Sequence, residues 1–331
     1  MNNISDNTYA ILLLCAPLIK GRGSSSEKVD LISPSEFGSL IQLMEKLEIE
    51  PSSLLDNEGL KLFLDNLEIN WNKDRIKALL DRSFTLSVCI EHWNNHGFFI
   101  LSPFDSMYPK RIMQLGKNSP PILYCCGSSK LLEGGGLSVV GSRAIDNEII
   151  KFTEAVGERC AIDELTLISG GARGVDQVSM SSCLDRGGKV IGMLADRLSA
   201  ATLSSKNRSY LDKDLLLISP FDPDVGFNVG NAMSRNKLIY AMSDYGLVVN
   251  SDLEKGGTWA GATELLRSSL DIPLFIRNTS PLGKGNAKLM EMGGTPWPND
   301  LNEKPLASQL SQLSQTRLKK EDPAKQLDLD I

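Results

Sequence analysis

Histidine is nearly missing from this chain, with His92 and His96 the only two in 331 residues. The six cysteines (Cys15, Cys89, Cys125, Cys126, Cys160 and Cys183) show no CxxC spacing. A zinc cluster is therefore not expected: the two histidines, four apart, could share a helical face but amount to two ligands without a third. The thiols read as reduced and mostly buried. Positive charge is not in excess either, since 35 Lys and Arg stand against 41 Asp and Glu for a formal charge of -6. No global positive field draws the chain to nucleic acid or to a membrane, so any such site must be a local patch. Long apolar runs are lacking as well. The longest, "YAILLLCAPLI" at residues 9–19, falls short of the roughly 20 residues that span a bilayer. It has no basic residues ahead of it and no small-residue cleavage pattern after it, so neither a membrane span nor a signal peptide is expected, and the chain reads as cytoplasmic.

What is present is enough apolar material, 41% of residues, to build a sizeable core in one large or two ordinary domains. Residues 1–97 read as a small, mainly helical region. "SPSE" at residues 33–36 has a serine cap, a proline at the first helical position and a glutamate three residues on, and apolar residues follow at helical spacing. A second helix is expected over residues 72–95, stopped by His96 and Gly97. Residues 98–298 begin with a lead-in of short apolar strands broken by Pro and Gly, then alternate strand and helix from residue 137. The segments "LSVVG", "LTLISG", "KVIGML", "LLLISP", "YGLVVN" and "PLFIR" are nearly continuous in hydrophobicity, as strands buried on both faces of a parallel sheet are. Residues 145–160, 175–186, 233–242 and 258–270 are long enough to be crossover helices. The expected fold is α/β, a Rossmann-like, doubly wound, mostly parallel sheet preceded by the small helical region. Residues 299–331, rich in Ser, Gln and charge, read as a flexible tail, with a short helix as the alternative.

In an open parallel sheet ligands gather beyond the carboxyl ends of the strands, so the strand-to-helix turns carry the functional reading. In "VVGSRA", Gly141 allows close backbone approach, Ser142 brings a hydroxyl and Arg143 a guanidinium fork suited to phosphate. In "LISGGARGVDQVS", residues 167–179, Ser169, Gly170 and Gly171 lead to Arg173, Gly174 opens a helix and Asp176 sits in its first turn. The pattern is neither GxGxxG nor GxxxxGK[ST], so neither a dinucleotide nor triphosphate hydrolysis is indicated. Asp176 reads as a cap or as a partner fixing Arg173. Lys206 and Arg208 lie in a loop after "KVIGML". Arg235, Asn236 and Lys237 read as opening a helix, where a pair of cations opposes the helix dipole and calls for an anion. Gly256, Gly257 and Thr258 form a further helix-opening turn with free amides.

Together, "FDSMYPKRIMQLGKNSPPILYCCGSSKLL", "VVGSRA", "LISGGARGVDQVS" and "SRNKLIYAMSD" resemble the DprA/Smf family of DNA-processing proteins over residues 97–298. The resemblance implies a Rossmann-like domain that binds single-stranded DNA without sequence preference, forms homodimers and delivers the strand to the RecA recombinase. It places Ser142, Arg143, Gly170, Arg173, Arg235, Asn236 and Lys237 at a phosphate-holding pocket, with Lys206 and Arg208 less securely aligned. Gly141, Ser169, Gly171, Gly256, Gly257 and Thr258 join these candidates from the chemistry of the turns themselves, and "KGGTWAG" departs from the family's usual pattern. The alternative is a regulatory or antitoxin-like relative in phage defence that binds a nucleotide or a toxin-like partner protein. The acidic balance and the "GGTW" turn favour that alternative. No cofactor, metal or catalytic residue is expected. A phosphoribohydrolase would need its glutamate one helical turn after Thr258, where Gly261 stands, and Glu264 comes too late.

Overall fold

The computed structural model describes residues 4–21, 30–211, 213–280, 282–298 and 304–321, with side chains up to residue 315. Its strands are β1 (Phe99–Leu101), β2 (Leu123–Gly127), β3 (Leu137–Val140), β4 (Leu167–Ser169), β5 (Val190–Met193), β6 (Leu215–Ser219), β7 (Tyr245–Val248), β8 (Leu274–Ile276) and β9 (Thr295–Pro296). The chain divides into two compact units, Met1–Glu133 with Leu194–Arg235, and Gly134–Met193 with Asn236–Ile331.

The first unit is built on helices. The apolar run forms the Asp6–Cys15 helix, in which Ala10, Ile11, Leu12, Leu13 and Leu14 are all fully buried. A helix apolar all round belongs inside a core rather than on its surface. The Pro34–Lys46 helix has the expected capping box between Ser33 and Glu36, with Pro34 opening it. The single helix expected over residues 72–95 is instead two, Lys73–Leu80 and Ser83–Asn95. Arg82 accounts for the break: its guanidinium donates to the carbonyls of Leu79, Ala16 and Leu13 and so covers the carboxyl ends of two helices at once. β1 pairs antiparallel with β2, and β2 antiparallel with β6. "LLLISP" is therefore a strand, as expected, but not part of a parallel set. Its continuous hydrophobicity recorded burial, which covers every residue of β6, and burial carries no information about direction.

In the second unit the strands run parallel in the order β5-β4-β3-β7-β8-β9. Numbered from β3, this is the 3-2-1-4-5-6 order of a doubly wound sheet, with the reversal between β3 and β7. Leu137 lies opposite both Leu167 and Tyr245 in register. The crossover helices are Asn147–Ile162, Val175–Asp185 and Gly256–Arg267. The Rossmann-like α/β, mostly parallel fold class and the helical N-terminal region are thus both observed. Beyond the sheet, Leu306–Glu321 is helical, the alternative weighed for the polar end of the chain. Leu306 and Leu310 are fully buried, and Asp163 takes the Leu306 amide at 2.6 Å while holding Arg159 at 2.7 Å. Residues 322–331 lie outside the described residues.

Candidate phosphate-binding turns and an adjoining cleft

The two glycine turns expected to share an edge of the sheet do so. The turn after β3 packs on the start of the Val175–Asp185 helix, where the Val175 amide donates to Ser142 O at 3.3 Å. Gly174 makes this approach possible. At φ +83° and ψ -129° it takes a conformation open to glycine, and a Cβ there would overlap Ser142 O and lie 2.7 Å from Arg143 O. Gly141 is pressed against Val175 in turn, with Cγ2 only 2.5 Å from where a Cβ would stand. Arg143 and Arg173, both exposed, therefore leave backbone segments that touch.

Three features of this edge refine the reading from sequence. Asp176, 6% exposed, accepts the Ala172 amide at 3.3 Å and so caps the turn. Ser169 is fully buried and donates to Val139 O at 2.6 Å, which ties β4 to β3. The Ser142 amide donates to the Asn250 carboxamide at 2.9 Å, so a side chain of the β7 loop holds the donor that a phosphate would otherwise take.

The second group of expected residues assembles on the Val229–Ala241 helix and the Gly256–Arg267 helix. Asn236 donates to Gly257 O at 3.1 Å, and Gly261 packs against Asn236 and Tyr240. Burial raises the Tyr240 phenol pKa first, and the Asp176 carboxylate raises it further. Arg235, Asn236 and Lys237 do not open their helix, which begins six residues earlier at Val229, where Asn228 accepts the Asn231 amide at 3.2 Å. The helix-dipole argument for an anion at this place fails with that correction. Lys237 is paired with Glu264 at 2.8 Å. Gly256, at φ +79°, and Gly257 start the Gly256–Arg267 helix with Thr258, as expected. Lys206 and Arg208 are exposed on the short Ser205–Arg208 helix of the first unit, and Arg235, the last residue of that unit, is buried.

A neighbouring concavity was not anticipated from sequence. Within the second unit, a cleft of about 640 Å³ lies beyond the carboxyl ends of β3, β7 and β8. Asp146, Glu148, Asp252, Lys255, Arg277 and Lys284 supply its charges. Arg277, 3% exposed, donates from Nε to Val249 O at 2.9 Å and from Nη1 to Thr279 Oγ1 at 2.8 Å, and it lies 5.8 Å from the centre of the Phe152 ring. Burial pulls its pKa down, and the carboxylates of Asp146 and Glu148 oppose that shift. Asn286, fully buried, accepts the Ser251 amide at 2.9 Å and donates to Val249 O at 3.0 Å and Arg277 O at 2.9 Å. The visible signals were the arginine ending "PLFIR" and the asparagine in "GKGNAK". Nothing local distinguishes either from an ordinary surface residue.

Residues 99–303 match the family described as DNA recombination-mediator protein A. The chain is 31% identical over 221 residues to Protein Smf of Escherichia coli (strain K12), covering 64% of this chain and 57% of that protein. It is 27% identical over 157 residues to the DNA processing protein DprA of Streptococcus pneumoniae (strain ATCC BAA-255 / R6), covering 47% of this chain and 55% of that protein. The chain thus spans about half the length of the curated relatives it matches. In structure it is similar to DNA processing protein A from Streptococcus pneumoniae, with a TM-score of 0.66 at 19% identity over 89% of this chain and 95% of the other. It is also similar to DNA processing protein A from Helicobacter pylori, solved for its single-stranded DNA binding mode, with a TM-score of 0.51 at 21% identity over 67% of this chain and 96% of the other. At those identities the likeness is one of fold.

Proposed function

This chain belongs to the DNA recombination-mediator protein A family, and from that premise we propose that it binds single-stranded DNA without sequence preference and passes it to a RecA-type recombinase. The observation that carries the reading is the seating of residues 141–143 on Gly174, which brings the backbones of the Arg143 and Arg173 turns into contact. A flexible strand needs several such cations spaced along its phosphates rather than a deep pocket. Asn236, Lys237 and residues 256–258 extend this edge of the second unit. Homodimerisation, a cytoplasmic location and a division into residues 1–97, 98–298 and 299–331 belong to the same proposal. A binding role without catalysis fits turns that carry Arg143 and Arg173, with Asp176 engaged as a cap.

The test compares retention of a labelled single strand by the purified protein and by an Arg143→Ala, Arg173→Ala double variant, across a salt series. The proposal expects salt-sensitive retention, weaker binding of duplex, and a loss of about tenfold or more in the variant with a shallower salt slope, since each lost phosphate contact removes about 0.7 from it. Retention that is absent or insensitive to salt, or a variant that binds as the parent does, would overturn it. With binding established, a RecA strand-exchange assay on single strands coated by a competing binding protein tests the delivery step.

A further inference from the structure

The cleft at the β3, β7 and β8 ends is separate from the glycine turns and has the construction of a ligand site in its own right. Its position is the reversal point of the sheet, where open α/β folds place their ligands. Its volume, about 640 Å³, falls within the roughly 300–1,000 Å³ of small-molecule sites. Its walls are fixed. Asn286 joins the β7 loop to the end of β8 through three hydrogen bonds, and a Cβ on Gly285 would collide with Ser251 O. Arg277, 3% exposed and held by Val249 O and Thr279 Oγ1, adds a fixed guanidinium to the lining.

The lining selects the chemical class. Cations stand at Lys255, Arg277 and Lys284, and carboxylates at Asp146, Glu148 and Asp252. A ligand with one anionic group and several hydroxyls satisfies both sets, whereas the charge of a triphosphate would face three carboxylates. Leu253 and Leu282 expose 38% and 42% of their surface at the same cleft, which suits the flat apolar face of a base. The Lys284–Glu291 helix begins in the lining of the cleft, so its first amides and the Lys284 ammonium mark the place for the phosphate. We infer that this cleft binds a single phosphorylated nucleotide, with its phosphate against Lys284 and Arg277 and its sugar hydroxyls against Asp146, Glu148 and Asp252. The site stands independently of strand binding at the turns.

Calorimetric titration of the full chain with each nucleoside 5′-monophosphate, and with the parent nucleosides, tests this. At least one monophosphate should bind more tightly than about 1 mM, and its nucleoside at least about tenfold more weakly, the loss of about 1.4 kcal/mol. Lys284 is exposed, so Lys284→Glu should keep the unfolding midpoint and the single-strand retention of the parent while losing about tenfold or more in monophosphate affinity. Arg277→Lys should show a similar loss, because lysine cannot reproduce the guanidinium fork. Failure of every monophosphate to bind, equal binding of monophosphate and nucleoside, or unchanged affinity in Lys284→Glu would overturn the inference. Displacement by a 5′-phosphorylated oligonucleotide but not by its 5′-hydroxyl counterpart would assign the cleft to strand ends. Displacement by neither would assign it to free nucleotides, and both results keep the class. Monophosphate binding without salt-sensitive strand retention would sink the proposed function and leave this site standing.

Discussion

Replacing Gly174 by alanine adds one methyl group at the place where the two turns meet. Two costs follow from the geometry. The backbone at φ +83°, ψ -129° lies in territory that side chains avoid, worth about 1–3 kcal/mol. The new Cβ would also meet Ser142 O and Arg143 O, backbone atoms that cannot rotate away, and such overpacking adds about 1–3 kcal/mol. Together they come to about 2–6 kcal/mol, a large part of the stability of an ordinary domain. Gly187 provides the control, since it has nearly the same φ, +81°, but open space where a Cβ would stand. Gly187→Ala should cost only the left-handed conformation, about 1–2 kcal/mol. Urea unfolding of both variants, compared at equal m-value, should show Gly174→Ala the more destabilised by about 1–3 kcal/mol, from the overlap with the Ser142 and Arg143 backbone. Equal destabilisation of the two variants would refute the claim that the turns are packed on each other. If they are packed, Gly174→Ala should also lose strand retention at urea concentrations where it remains folded, and Gly187→Ala should not.

Glu264→Gln should release Lys237 from its 2.8 Å pair and steepen the salt dependence of strand binding by about 0.7. Because that pair is half exposed, stability should move by less than about 1 kcal/mol, and an unchanged slope would place Lys237 off the strand's path. Hydrogen bonding to Arg75 holds the Glu36 carboxyl down at about 2 from an ordinary 4.5. Its stabilisation is therefore complete above pH 5 and is lost as the pH falls through 4.5 toward 2. With the carboxylate 33% exposed, solvent screening leaves about 1–2 kcal/mol. The gap in unfolding free energy between parent and Glu36→Gln should thus narrow between pH 7 and pH 3, and a constant gap would refute the linkage. Asn286→Leu should cost about 3 kcal/mol by stranding the buried Ser251 amide and the Arg277 carbonyl, while Val249 O keeps its bond from Arg277, measured as a shift in denaturation midpoint. Thiol reagents should leave Cys89, Cys125, Cys126, Cys160 and Cys183 unmodified in the native protein, all five being buried, and prompt labelling of these thiols would contradict the core described.

Each strand from "LSVVG" to "PLFIR" was legible in the sequence because a buried strand needs an unbroken apolar run and little else. The direction of β6 was not legible, since its partner β2 is set by tertiary pairing and leaves no mark on local composition. The break at Arg82 was hidden for a similar reason. The residue carries no helix-stopping chemistry of its own and acts through carbonyls at Leu13 and Ala16, more than 60 positions away. Of the candidate site, the two glycine turns were readable because each requires residues that only glycine can replace. The start of the Arg235 helix was misplaced because the basic run drew attention away from Asn228, whose capping side chain was the better signal. The cleft around Arg277 depends on three strands that are consecutive in space and scattered in sequence, so no single segment announces it.

Neither compact unit is a continuous stretch of chain. The first is interrupted by Gly134–Met193 and the second by Leu194–Arg235. During synthesis, β3, β4 and β5 emerge as one half of the parallel set, and β7, the neighbour that completes β3, follows only after the chain has passed through the other unit. Leu137 must wait for Tyr245, and closing so long a loop before any contact rewards it is a recognised source of slow folding. The exposed edge of β3 is thus at risk of mispairing for the whole of that interval. The molecule should depend on chaperones or low temperature for its yield more than its final packing suggests. Fragments cut at a single point in the sequence should aggregate, because any such cut leaves at least one unit incomplete.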